Sequence, residues 1–209
     1  MALTGPRWAL RAAALLIGIA VLGFALADTP SARADGAWLD GPLQNWNQPN
    51  QPVPIAPVVQ NEPGNPQCLN TVRSPETDED RAVAAAGWKL VGTFQGGFGA
   101  MVVTATTDFD GMCRPNGFQV FVFYHENFVG TVSPDLMVSR TDGSLQRVFL
   151  SASITASEPP ALNADFSRYS EQDALCCPSR VSSVNYSIEF AGGGWVLVPT
   201  SVSTRATSS

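Results

Sequence analysis

Positive charge is scarce in this sequence. Among 209 residues there is one lysine, Lys89, and one histidine, His125. Twelve basic residues face 18 acidic ones, for a formal net charge of −6. A chain so poor in cations has no electrostatic footprint for nucleic acid or for an anionic lipid surface. Several chemical signatures are missing too. There is no Cys-x-x-Cys redox motif and no cysteine/histidine spacing suited to zinc. No Gly-x-Ser-x-Gly elbow presents a serine nucleophile. The glycine-rich stretches "FQGGFGA" and "AGGGW" do not open helices, so neither is a phosphate-binding loop; both read as hairpin turns. No cofactor, metal ligand set or catalytic constellation emerges, and an enzyme is not expected.

Long apolar runs are also lacking, except at the start. Arg7 and Arg11 precede the run "AAALLIGIAVLGFALA", residues 12–27. This is short of the roughly 20 apolar residues a membrane span needs. Small-residue patterns follow at Ala25-Leu26-Ala27 and Ala32-Arg33-Ala34. The pattern predicts a cleaved secretion signal over 1–34, cut after Ala34, with Ala27 as the alternative site. The mature chain is then expected to carry no transmembrane segment. It loses three arginines and one aspartate with the signal, and becomes more acidic still.

Past the signal, residues 35–66 are rich in proline, asparagine and glutamine. Proline fixes φ and removes backbone donors, so a flexible, partly polyproline-like tail is expected here. Trp38 and Trp46 lie in it and could serve as a docking peptide. A globular domain is expected over 67–200, followed by a disordered C-terminal tail, 201–209.

Within the domain, "SPETDEDRAVAAAG" predicts one helix. Ser74 or Thr77 would cap it, the acidic cluster complements its positive end, and Gly87 stops it. The remainder is strand-like. In "FQVFVFYH", Phe121 and Phe123 share one face while Val120, Val122 and Tyr124 share the other. The expected class is α+β: an antiparallel sheet of about 6–7 strands with one N-terminal helix packed on a face, stapled by disulfides. "TTDFDG" offers Asp108 and Asp110 at calcium-loop spacing. The first and last ligand positions fall on Thr106 and Gly117, so a hairpin turn fits better.

Four cysteines remain, Cys68, Cys113, Cys176 and Cys177, in an exported and hence oxidising setting. They allow three pairings. Adjacent Cα atoms lie about 3.8 Å apart, below the usual disulfide range. A vicinal bond also constrains almost no unfolded chain. Two long-range bridges are therefore expected, each from Cys68 or Cys113 to one of the adjacent pair. His125 sits beside Glu126 at a strand end and reads as a turn residue; a hydrolase would need carboxylates or His125 in a cleft.

The block "YSEQDALCCPS", residues 169–179, followed by "VSSVNYSIEF", resembles the LppP/LprE family of actinobacterial cell-envelope lipoproteins. So does "QVFVFYHENFVGT", residues 119–131. The resemblance covers about residues 68–199 and implies an envelope location in mycobacteria-like organisms. It implies no activity, cofactor or catalytic residue. The family's lipidated cysteine has no counterpart near the signal, since the first cysteine is Cys68. Release into the outer envelope or medium is therefore expected. The expected role is binding an envelope ligand or protein, through an exposed sheet face or the loops around Tyr169, Asp173 and the cysteine pair. An accessory subunit of an envelope complex and an envelope hydrolase are the alternatives.

Overall fold

The computed structural model describes residues 36–58, 66–152 and 158–207. The expected signal, 1–34, lies outside them. The described elements are a helix, α1 (Asp78–Ala85), and ten strands: β1 (Lys89–Leu90), β2 (Gln95–Gly97), β3 (Ala100–Phe109), β4 (Pro115–Tyr124), β5 (Asn127–Thr131), β6 (Met137–Val138), β7 (Leu145–Ser151), β8 (Ala161–Arg168), β9 (Arg180–Ala191) and β10 (Gly194–Ala206). All recorded pairings are antiparallel. The strands divide into two sheets. One runs β1-β3-β4-β5, with β2 also on β3 and β6 also on β4; the other runs β10-β9-β8-β7. The antiparallel α+β class is as expected, with two sheets in place of one.

Hairpins account for the order. A two-residue turn whose central residues both have φ above zero matches the twist of the flanking strands. Phe98-Gly99 and Gly192-Gly193 provide it at both glycine-rich stretches. His125-Glu126 provides it between β4 and β5 without any glycine, with φ of 47° and 65°.

The alternation in β4 has two buried faces to serve. Val120, Val122 and Tyr124 meet Phe166, Tyr186 and Leu197 of the second sheet. Phe121 and Phe123 point the other way, onto Trp88, Phe128 and Val83 of α1. The first sheet is thus the middle layer. The second sheet's outer face is polar: Asp165 accepts hydrogen bonds from Arg147 (2.6 Å) and Ser183 (2.5 Å).

Helix α1 starts at Thr77, whose hydroxyl accepts from the Asp80 amide while the Asp80 carboxylate accepts from the Thr77 amide. Asp80 is fully buried and takes two 2.5 Å hydrogen bonds from Arg73.

The expected flexible tail is, over 36–58, a strap laced across the molecule. Leu39 is buried, and Trp38, Leu43 and Trp46 pack on the core between the sheets. Asp40 pairs with the buried Arg168 of β8 at 2.6 Å. Asn47 plugs the seam between the sheets: its amide donates to Thr131 O of β5 and Leu197 O of β10, both at 3.1 Å, and accepts from Thr131 N at 2.9 Å. Gly130 makes room, since a Cβ there would come within 2.3 Å of Asn47. Further on, Trp88 Nε1 donates to Pro54 O (2.7 Å), and Ala56 N donates to Ala86 O (2.9 Å). Proline does prevent ladder pairing here, but side-chain amides and indoles supply the anchors instead. The C-terminal boundary also moves. Residues 201–206 extend β10 along β9, so the described part of that tail is strand.

Candidate functional site

The four cysteines form two disulfides, Cys68–Cys113 and the vicinal pair Cys176–Cys177. This corrects the expected long-range pairing to the adjacent cysteines. The physical reason is placement. Cys68 is buried with Val91 and Phe109 at one end of the first sheet, and the half-buried Cys113 packs against them. Cys176 and Cys177 are exposed in the loop between β8 and β9 of the second sheet.

That loop is held by the two residues expected to form a binding surface. The Asp173 carboxylate accepts from Ser170 N (2.9 Å), Ser170 Oγ (2.8 Å) and Ser179 N (2.8 Å). The Ser170 and Ser179 amides hold its carboxyl far below the usual range. Tyr169 donates its hydroxyl to Leu175 O at 2.9 Å, and its amide donates to Asp142 at 2.7 Å. Both side chains are thus spent on shaping the loop. What the loop presents outward is Leu175, 69% exposed, with the cysteine pair beside it.

His125 and Glu126 are exposed turn residues. His125 N donates to Gly99 O at 2.8 Å, and its ring stacks on Tyr124 at 4.2 Å. Asp110 is the anchor of the β3–β4 hairpin, accepting from Met112 N, Arg114 N and Arg114 Nε. Among the described residues, no cluster of three histidine, cysteine or carboxylate side chains could hold a metal.

Three clefts lie along the strap, none named by the sequence pattern. The first, ≈ 280 Å³, is lined by Trp38, Gln44, Asn45 and Trp46 with Pro42 and Pro134. The second, ≈ 320 Å³, shares Trp46 and Pro134 and adds Gln51, Gln119 and Phe128 among others. The third, ≈ 380 Å³, shares Gln51 and Phe128 and runs to Asn50, Asn127, Phe190 and Trp195. Among the described residues, no charged side chain lines any of the three. The aromatic walls are fixed in place. Trp38 meets Trp46 and Phe166 edge-on at 5.0 and 5.2 Å, and Trp46 Nε1 donates to Thr131 O at 3.0 Å. The only signal in the sequence was the clustering of tryptophan with asparagine and glutamine in "GAWLDGPLQNWNQPNQ", which reads as linker composition until its partners are known.

No curated protein and no solved structure matches this chain. Residues 99–189 match the family model described as LppP/LprE lipoprotein. That stretch holds β3 to β8 whole, most of β9, and the cysteine-pair loop; the strap, α1 and β10 lie outside it. Over residues 99–189, then, the chain is similar to the LppP/LprE lipoprotein family.

Proposed function

We propose that this is an exported binding protein of the cell envelope that captures a ligand without transforming it. The observation that carries this is the run of three adjoining clefts walled by packed aromatics beside amide side chains. Preformed concave sites with a few oriented polar groups are where ligands are held. The secretion signal expected at 1–34 would place it outside the cytoplasm, and the two disulfides suit an oxidising compartment. All four cysteines are bridged, so none of these sulfurs is free to carry a lipid. A protein partner is the second reading. It is favoured by Leu175, which the Asp173-braced loop holds out in solvent.

The test adds protein-free envelope extract, split into neutral, anionic and lipid fractions, to the purified exported protein. A ligand raises the unfolding temperature by mass action and perturbs tryptophan fluorescence. The neutral fraction is expected to do both. If no fraction does either, the ligand-binding role is lost.

A further inference from the structure

We infer that the three clefts are consecutive subsites of one track, and that the track binds a neutral oligosaccharide. This rests on the binding role proposed above and names its ligand class. Continuity comes from shared walls: Trp46 and Pro134 belong to the first and second clefts, Gln51 and Phe128 to the second and third. Ligand chemistry follows from the lining. A sugar ring has faces of C–H bonds and a rim of hydroxyls, and it needs aromatic surface beside amide groups. Each cleft supplies both. Trp38 and Trp46 stand with Gln44 and Asn45 at one end, and Trp195 stands with Asn50 at the other. Among the described residues the Gln44 amide has no hydrogen-bond partner, so its donors and acceptor are available to hydroxyls.

Charge settles the rest. Among the described residues, no acidic or basic side chain stands in this lining. An anionic ligand would find no lysine or arginine to pair with, and would approach an acidic protein. A purely apolar ligand would leave the amides unpaired. A neutral polyhydroxylated chain satisfies both kinds of surface. The strap therefore braces the sandwich and builds its binding face.

The test titrates the purified protein with glucose, maltose, maltotriose and maltotetraose, and with the matching cello- and manno-series. Binding is followed by tryptophan fluorescence and calorimetry. In at least one series, affinity should rise at least tenfold from one unit to three, as successive subsites fill. Trp38→Ala should weaken trisaccharide binding at least tenfold. Gln44→Glu, at an exposed position that the fold does not depend on, should weaken it severalfold by placing a charge in the track. Phe149→Ser, on β7 and outside the lining of all three clefts, should leave it unchanged. Equal affinity along every ladder overturns the track. So does full trisaccharide affinity in folded Gln44→Glu. Silence toward every saccharide, while the neutral extract fraction still perturbs the tryptophans, overturns the sugar and leaves the binding role standing. Silence toward both removes both. A proline-rich peptide that occupies the same tryptophans where no saccharide does also overturns it.

Discussion

Asp80 shows how much one side chain can organise. It is a helix N-terminal acceptor and the partner of Arg73 at once, and it is fully buried. Burial alone would raise its pKa. The Arg73 hydrogen bonds and the Glu76 and Thr77 amides outweigh that and hold the carboxyl below its ordinary value. A carboxylate with a depressed folded pKa stabilises the native state above its unfolded pKa of about 4. That contribution is lost as pH falls from there through the lower folded value. Asp80→Asn keeps the shape but leaves Arg73 facing a neutral amide. At pH 7 it should cost about 3 kcal/mol, the scale of breaking a buried pair. Urea denaturation from pH 7 down to strong acid checks this. The gap between wild type and variant should narrow as pH falls below about 4 and close only below the lower folded pKa; a constant gap would rule out the charged pair as its source. The acidic start of this helix and its Thr77 cap were legible in sequence, because capping is local. The Arg73 clasp, seven residues away from Asp80, was not.

Among the elements, the strap is the one sequence composition misdescribes. Its prolines predict the absence of a ladder, and that holds. They say nothing of whether the chain is bound by other means. Asn47 is held by Thr131 and Leu197, 84 and 150 residues away, and no local pattern encodes such a contact. Strand β8 is hard to read from its residues for a different reason. Leu162, Ala164 and Phe166 do alternate with Asn163, Asp165 and Ser167, but alanine, asparagine and aspartate are weak strand formers, and the strand is stabilised by its place between β7 and β9. By contrast β4, dense in valine and phenylalanine, was legible down to which residues share a face, though not which layer each face meets. The strap's role is open to measurement at Asn47. Asn47→Ala leaves the Leu197 carbonyl and the Thr131 amide buried without their partner, at about 1–3 kcal/mol for each such group. Stability should fall by about 3 kcal/mol, and amide exchange should quicken first in the strap and at the β5–β10 seam. Exchange that quickens only on global unfolding, with stability intact, would show that the seam does not depend on Asn47.

At the scale of the whole molecule, the two disulfides do different jobs. Cys68–Cys113 joins residues 45 apart in sequence and ties the 3-10 turn at Pro66–Thr71 to the β3–β4 hairpin. Closing a loop of that size removes unfolded-state entropy worth about 4 kcal/mol. Cys176–Cys177 closes no loop of consequence, so global stability gains almost nothing from it. The energetic reasoning that disfavoured the vicinal bond was sound as a statement about stability. It failed as a guide to pairing, because the fold sets Cys68, wholly buried, and Cys113, half-buried, 5.0 Å apart (Cα to Cα). Access then dictates the order of reduction. Cys176 and Cys177 are exposed, while Cys68 is wholly buried, and thiol–disulfide exchange needs an approachable sulfur. A mild dithiol applied to the native protein should release two thiols, both within one peptide around residue 176. The unfolding free energy should change by less than about 0.5 kcal/mol. The other two should appear only when denaturant opens the domain, and replacing Cys68 and Cys113 by alanine should cost about 4 kcal/mol. Peptide mapping of the unreduced protein is the decisive measurement. A peptide linking position 68 or 113 to 176 or 177 would overturn the pairing, and with it the separation between a bridge that holds the sandwich and a bridge that only shapes its most exposed loop.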